Sequence, residues 1–426
     1  MTIHIVQPGQ TLYGIAAQYG VDPELLRLCN GVPPDAALAV GQTLVIETVQ
    51  TLHVVQPGQT LSAVARQYGL SLRQLYRNNY WFHGMPDIRP NQTLVIAYEQ
   101  EKLGSTHTNG YAYPFIRRRE LSASLPYMTC VTPFTYGINA QGGLLPLADG
   151  VILEEASRLG AAALMHLSTL TEEDTFSSQR AETLLSDVKR QEAILRQVQA
   201  MIEAKGYRGV DVDFEYIPGT QKDNYAAFIR RLRAAVSPLP VLVALAPKTW
   251  DGQPGLLYEG HDYKQLGAAA DFVLLMTYEW GYTYGPPMAV APLPDVRQVV
   301  DYAVTVIPRE KIWLGIPNYG YDWPLPFRQG TTRARSISNQ YAVELAVKHR
   351  AEILFDEQVQ SPWFRYTEDG VVHEVWFEDA RSMRAKLALI QEYGLYGAGY
   401  WNLMRPYPQG WTLLNAMYDV ADVWRF

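Results

Sequence analysis

The chain has 426 residues, of which 48% are apolar and 19% charged, and its formal net charge is −7. This size and composition are typical of a globular protein with two or three domains. The acidic balance and the lack of a basic tract argue against nucleic acid as a partner. No stretch approaches the ~20 apolar residues of a membrane span. The N-terminus lacks the basic start and apolar run of a signal peptide, so we expect cytosolic synthesis without export by that signal.

We expect neither a disulfide framework nor a metal site or other cofactor. The two cysteines, Cys29 and Cys130, fall in different predicted domains. The eight histidines are scattered without the spacing of metal ligands. The 28 tyrosines and 10 tryptophans are more informative, because flat aromatic faces can stack on sugar rings.

The first 97 residues contain one pattern twice. The segment 4–12, His-Ile-Val-Gln-Pro-Gly-Gln-Thr-Leu, returns with one substitution at 53–61, and Asn30 returns as Asn79. Each copy predicts a strand, a Pro-Gly turn, a helix capped by Thr11 or Thr60, a second helix and a closing strand. We therefore predict two βααβ domains, 1–48 and 51–97, followed by a polar linker at 98–109.

This repeat resembles the LysM module, most specifically in its Pro-Gly-Gln-Thr-Leu motif. The resemblance implies binding to glycans that contain N-acetylglucosamine, such as peptidoglycan or chitin. The implied grooves pair residues 9–12 with 33–40 and residues 58–61 with 85–90. A structural or protein-interaction repeat is the alternative interpretation.

The remaining residues, 110–426, predict one α/β domain. Eight apolar strand candidates alternate with helical stretches, which indicates a parallel sheet and, at this length, a (β/α)8 TIM barrel. A helix is predicted at about 178–204, and a small β-rich insertion after strand seven at about 330–379. The eight candidates are 110–113, 127–136, 162–167, 209–216, 241–246, 272–278, 312–317 and 397–401.

The fourth strand candidate alternates apolar and acidic residues. Asp211, Asp213 and Glu215 fall on one face, with neighbours roughly 6.8 Å apart. Crowding and burial would raise the pKa of each carboxyl group. Such an arrangement does not favour stability, so it indicates a catalytic role. A solvated face of an edge strand is the alternative, but apolar strands on both sides favour a central position. Polar and aromatic residues also end other strands, where a barrel places its active site: Tyr136, Tyr278, Glu279, Trp280, Asn318 and Trp401.

The fourth strand resembles the Asp-x-x-Asp-x-Asp-x-Glu signature of family 18 glycoside hydrolases. Its last three positions match Asp211, Asp213 and Glu215, whereas Arg208 occupies the first, where the family's aspartate supports the others from beneath. The resemblance implies substrate-assisted catalysis. Glu215 would donate the proton, Asp213 would hold the sugar's acetamido group, and Asp211 would share a proton with Asp213. Tyr278 would position the acetamido oxygen.

The segment from Tyr278, Tyr-Glu-Trp followed by Gly-Pro-Pro-Met-Ala at 285–289, is similar to bacterial spore cortex-lytic N-acetylglucosaminidases, which also carry two LysM modules. The resemblance implies a spore-associated peptidoglycan hydrolase that cleaves β-1,4 bonds on the reducing side of N-acetylglucosamine. A chitinase and a non-catalytic glycan-binding spore coat protein are the alternatives. Trp401 is predicted as the floor under the cleaved sugar, and the other predicted groove residues are Tyr136, Glu279, Trp280 and Asn318.

Overall fold

The two N-terminal units are separate βααβ modules. The structure, a computed structural model, describes residues 1–173, 175–422 and 424. Thr11 and Thr60 cap the first helix of each module through their side chains, as predicted. In each module the two strands pair antiparallel. The elements are Thr2–Ile5, Leu12–Tyr19, Pro23–Asn30 and Thr43–Ile46 in the first module, and Val49–Val54, Leu61–Gln67, Leu72–Asn78 and Thr93–Tyr98 in the second.

The repeated asparagines explain why the two modules share one architecture. The Nδ2 of Asn30 donates to the carbonyls of Leu26 and Val45, both at 2.9 Å, and its Oδ1 accepts from Val45 N at 2.7 Å. Asn79 makes the same three bonds at its equivalent positions. Each buried amide therefore ties the end of the second helix to the closing strand.

Both modules pack on one barrel helix, Pro408–Met417. Two side chains of this helix bind the first module. Gln409 donates to the carbonyl of Thr43 at 2.7 Å, and Thr412 donates to the carbonyl of Cys29 at 2.8 Å. In the second module, Arg73 is buried and its guanidinium donates to backbone carbonyls of the barrel domain. These acceptors are Gly160 (3.0 Å), Asp422 (2.8 Å), Leu125 (3.2 Å), Pro126 (3.4 Å) and Met128.

The barrel predicted from the sequence is confirmed. Its strands pair in parallel with their neighbours. The third strand is divided into two segments, of which the first pairs with the second strand and the other pairs with the fourth. The first strand begins within residues 98–109, so the linker is shorter than predicted, because this stretch pairs with the eighth strand. The barrel strands are Ser105–Ala112, Cys130–Pro133, Ala162–Ala163 with Met165–Ser168, Val210–Asp213, Val241–Leu245, Phe272–Leu275, Ile312–Pro317 and Gly397–Trp401.

One predicted helix is two helices in the structure. The stretch 178–204 breaks after Leu185, because Asp187 caps a new helix by accepting hydrogen bonds from the backbone of Lys189 and Arg190. The helices outside the modules are Arg118–Ser124, Gly150–Leu159, Ser178–Leu185, Val188–Lys205, Lys222–Val236, Tyr263–Ala269, Leu293–Val306, Asn339–His349, Ala380–Tyr393 and Pro408–Met417. Short 3₁₀ helices lie at Tyr80–Phe82, Leu125–Tyr127, Gly219–Gln221 and Arg309–Lys311.

The insertion after strand seven is larger than predicted. It begins at Gly320 rather than near residue 330, and it adds the helix Asn339–His349 to a five-stranded antiparallel sheet. Phe364, Val375 and Phe377 belong to a small hydrophobic core that also includes Ala39 of the first module. Its strands are Gly320–Leu325, Arg335–Ile337, Leu354–Asp356, Ser361–Glu368 and Val371–Trp376, and the strand Asp419–Val420 pairs with the start of the first barrel strand.

Cys29 and Cys130 are both free and buried. Within residues 1–173, 175–422 and 424, no helix combines the length and apolar character needed to cross a membrane.

Candidate active site

The fourth barrel strand directs its acidic residues into the barrel. Val210, Val212 and Phe214 are fully buried in the layer between sheet and helices, where Phe214 stacks on Tyr225 and Phe228 at 5.6 Å. Asp211 lies opposite Leu242 on one neighbouring strand and His166 on the other. The strand is therefore central, which excludes the solvated edge-strand interpretation.

A cleft of about 850 Å³ opens at the carboxyl ends of the strands. Asp213, Glu215, Tyr278, Glu279 and Trp401 all line it, so five of the predicted site residues converge in one place. The Trp401 ring is in contact with the rings of Tyr111, Tyr113 and Phe134 at centroid distances of 5.6, 6.0 and 5.0 Å. Asp211 is completely buried and does not line the cleft.

The carboxyl groups of the strand favour their protonated forms. Burial raises the pKa of Asp211 to about 8 and that of Asp213 to about 7. The pKa of Glu215 lies well above its ordinary value, because the group is enclosed and because Asp213 and Glu279 add negative charge nearby. Both carboxyl oxygens of Asp211 and Oδ1 of Asp213 have no hydrogen-bond partner among the described residues. The raised pKa of Glu215 suits the role of a general acid.

Glu279 is held in place by two tyrosines at the junction with the insertion. The hydroxyl groups of Tyr319 and Tyr321 both donate to its carboxylate, the second at 3.0 and 3.2 Å. Burial raises the pKa of Glu279, and these two hydrogen bonds oppose that rise. Tyr321 was not predicted from the sequence. The alternation of Tyr319, Tyr321 and Trp323 along one strand is the signal that could have revealed it.

Replacing Glu279 with glutamine should move the alkaline limb of the pH profile of kcat/KM to lower pH. Removing this charge lowers the pKa of Glu215, which must be protonated to act as an acid, so its active form is lost about one pH unit earlier. Initial rates measured between pH 4 and 10 test this shift. Glu279→Asp keeps the charge and serves as the matched control. An unmoved alkaline limb in Glu279→Gln would show that Glu279 does not influence the proton donor.

Three predicted groove residues do not line the cleft. Tyr136 is buried on the opposite side of its strand end, where its hydroxyl donates to Asp149 at 2.6 Å, because its neighbours Thr135 and Gly137 face the cleft instead. Asn318 is buried and donates to the carbonyls of Asn402 and Arg405, so it braces the loop after the eighth strand. Trp280 packs against the hydrophobic core.

Arg208 does not lie beneath the acidic residues. Its side chain is exposed, and it precedes Asp211 by three positions, which places it roughly 10 Å away and on the alternate face of the strand. The side chain that departs from the family signature therefore lies outside the barrel interior in which Asp211 is buried. Among the residues that the structure describes, no group of three or more His, Cys, Asp or Glu side chains could hold a metal ion.

Comparison with known proteins agrees with this geometry. The family model described as "Glycosyl hydrolases family 18" matches residues 173–405. The chain belongs to family 18 of the glycosyl hydrolases. The LysM domain model matches residues 4–47 and 53–97. This family 18 chain is therefore a glycosidase with two LysM domains, and both parts indicate a glycan as its binding partner.

Relatives share the whole architecture. The "Cortical fragment-lytic enzyme" of Bacillus subtilis (strain 168) is 38% identical over 434 residues, covering 99% of each chain. The enzyme of the same name from Bacillus anthracis is 33% identical over 424 residues, covering 98% of each. The crystal structure of the Bacillus cereus spore cortex-lytic enzyme SleL superposes with a TM-score of 0.84 at 32% identity. That match covers 100% of this chain and 99% of SleL.

Proposed function

We propose that this protein hydrolyses spore cortex peptidoglycan, cleaving β-1,4 bonds on the reducing side of N-acetylglucosamine with retention of configuration. The observation that carries the chemistry is the convergence of Glu215, Asp213 and Tyr278 in one cleft, with the pKa of Glu215 raised. The observation that favours cortex over other glycans is similarity to cortical fragment-lytic enzymes across both LysM domains and the barrel. The same similarity supports a location in the spore.

The proposed reaction uses the substrate's own acetamido group as nucleophile. Glu215 protonates the glycosidic oxygen while the acetamido oxygen attacks the anomeric carbon, so the leaving sugar departs and an oxazolinium ion forms. While the proton that the two aspartates share lies on Asp211, the Asp213 carboxylate accepts the acetamido N–H and balances the positive charge. The Tyr278 hydroxyl donates to the acetamido oxygen and orients it for attack. Glu215 then takes a proton from water, which opens the oxazolinium ring.

This mechanism selects the bond that is cut. The sugar in the catalytic subsite must carry an N-acetyl group, and muramic lactam, which cortex is expected to contain, has lost that group. N-acetylglucosamine is then the competent residue. Trp401 lines the same cleft as Asp213 and Glu215, and we propose that its ring stacks under that sugar.

Product analysis tests the proposal. Purified spore cortex and defined chitin oligomers are treated with the wild-type protein and with Glu215→Gln. The released chains are reduced with borohydride and identified by mass. New reduced N-acetylglucosamine ends from cortex, absent with the variant, are the expected result.

Two other outcomes would overturn the proposal in different ways. Clear preference for chitin oligomers over cortex would make the protein a chitinase with the same catalytic residues. Binding to both glycans without new ends from either would support the non-catalytic coat protein.

A further inference from the structure

A buried histidine lies between the ends of the fourth and fifth barrel strands, next to the residue that precedes Glu215. The backbone N–H of Ala246 donates to Nδ1 of His261 at 2.9 Å, and Nε2 of the same ring lies 2.9 Å from the carbonyl oxygen of Phe214. Ala246 directly follows the fifth strand. The ring is completely buried, so water does not compete for either hydrogen bond. His261 therefore links the two strands at their carboxyl ends, where the cleft opens.

Both partners of the ring are backbone groups, so the direction of each hydrogen bond is fixed. The N–H of Ala246 can only donate, which makes Nδ1 an acceptor without a proton. The carbonyl of Phe214 can only accept, which places the proton of the ring on Nε2. Burial lowers the pKa of His261 to about 4, and the ammonium group of Lys248, which donates to the backbone carbonyl of His261 at 3.1 Å, also disfavours a second proton. The ring is therefore a neutral bridge with one acceptor and one donor.

This ring takes the place of a hydrogen bond of the parallel sheet. Val210 of the fourth strand donates to the carbonyl of Pro240, which precedes the fifth strand, at 3.0 Å. In a parallel pair such contacts repeat every two residues along both strands, so two repeats further on the N–H of Ala246 would donate to the carbonyl of Phe214. Instead, the imidazole of His261 lies between these two groups and binds both. It therefore holds the two backbones farther apart than a direct hydrogen bond would.

The bridge acts on the peptide group that begins Glu215. The carbonyl of Phe214 belongs to the peptide plane that also contains the nitrogen of Glu215, so a bond to this oxygen restricts the direction in which the Glu215 side chain leaves the backbone. Beyond Glu215 the chain turns through Tyr216, whose φ of 55° lies in the left-handed region. Gly260, the residue before the histidine, packs so closely on Ile217 that an added Cβ would lie 2.3 Å from the Cβ of Ile217. The segment that carries the histidine therefore contacts the chain on both sides of Glu215.

We propose that His261 is a positioning residue that holds the backbone at Glu215 so that this side chain reaches the glycosidic oxygen. This inference rests on the proposed function, in which Glu215 is the proton donor. Proton transfer requires donor and acceptor within hydrogen-bonding distance, and a misplacement of about 1 Å can lower the rate roughly 100-fold. His261 itself is buried outside the lining of the cleft and exchanges no proton with the substrate.

The kinetic test compares His261→Leu, which removes both hydrogen bonds, with Tyr263→Phe as the matched control. The Tyr263 hydroxyl binds the same strand end, because it donates to the carbonyl of Ala246 at 2.6 Å and accepts from the N–H of Lys248 at 3.0 Å. On soluble cortex fragments and on chitin oligomers, His261→Leu should lower kcat roughly 100-fold with KM within about three-fold, whereas Tyr263→Phe should keep kcat within about two-fold. His261→Gln, whose amide offers one acceptor and one donor, should recover most of the rate. Equal losses of kcat in His261→Leu and Tyr263→Phe would overturn the proposal.

A double-mutant cycle separates a role through Glu215 from a general loss of structure. Adding His261→Leu to Glu215→Gln should reduce the remaining rate by less than about two-fold, because the carboxyl group to be positioned is already gone. A further loss as large as the one that His261→Leu causes alone would refute the role of His261 and leave the proposed function standing. Full activity of Glu215→Gln would refute the proton donor of the proposed function, and the role of His261 with it.

A spectroscopic arm tests the bridge itself and depends neither on activity nor on the folding of His261→Leu. In protein labelled with ¹⁵N-histidine, the ring resonances absent from His261→Gln identify His261, and their shifts report which nitrogen carries the proton. Wild type should show an unprotonated Nδ1 and a protonated Nε2 between about pH 5 and pH 7. A ring that carries a proton on Nδ1 in this range would overturn the proposal, whatever the activity of the variants.

Discussion

Glu215→Gln is expected to lower kcat on the cleaved glycan by roughly 10³–10⁴-fold while KM stays within a few-fold. Glutamine has nearly the same shape, so it preserves the cleft, but it can neither give a proton to the glycosidic oxygen nor take one from water. The raised pKa of Glu215 means that the wild-type side chain keeps its proton to a higher pH than an ordinary glutamate does. Initial rates of formation of new reducing ends measure the effect.

A matched control distinguishes a catalytic loss from a general effect of removing a carboxylate. Glu203 is exposed on the helix Val188–Lys205, and Glu203→Gln should retain full activity. Retention of more than about a tenth of the rate in Glu215→Gln would mean that another group supplies the proton.

The largest expected loss of stability comes from a residue outside the barrel. Arg73→Met should lower the free energy of unfolding by about 3–5 kcal/mol. Methionine keeps much of the side-chain volume but removes the guanidinium donor to the carbonyls of Met128 and Gly160. It also removes one of the two arginines that pair with Asp422, leaving Arg77. The second module should then separate from the barrel before the barrel unfolds.

Urea denaturation followed by tryptophan fluorescence and circular dichroism tests this expectation. The two probes should give different midpoints in Arg73→Met, which would show that unfolding is no longer one cooperative step. Arg66 lies on the preceding helix of the same module and is exposed, so Arg66→Met should change stability by less than about 0.5 kcal/mol. Equal stabilities of the two variants would contradict the importance of the buried guanidinium.

The sequence predicted those features that depend on short-range periodicity. Alternation along 209–216 correctly placed Asp211 and Asp213 inside the barrel, and the repeated Pro-Gly-Gln-Thr-Leu motif correctly indicated two modules. Tyr136 was predicted from its position at a strand end without regard to its face, and the neighbouring Thr135 lines the cleft instead. The helix break was also missed, although Asp187 is a residue type that commonly begins helices.

Contacts between residues far apart in the chain could not be predicted in this way. Tyr321 reaches Glu279 from the insertion, and Arg73 reaches the barrel from the second module. His166 has no motif around it, and its Nε2 lies 3.8 Å from Oδ2 of Asp213 because of the register of two parallel strands. Periodicity specifies which face a side chain occupies, whereas such partners depend on how whole elements pack.

The packing of both modules on the helix Pro408–Met417 holds them at a fixed distance from the cleft. The loops at Gly9 and Gly58 remain exposed, while other residues of both modules are hydrogen-bonded to the barrel domain. A flexible tether would let a bound glycan strand approach the cleft over a wide range of separations. Here, a glycan strand bound to a module and to the cleft at the same time must fit the fixed distance and angle between these two sites. The fixed geometry therefore selects glycan strands by their conformation. Cross-linking that bends or shortens a strand would determine whether a module and the cleft can bind it at the same time.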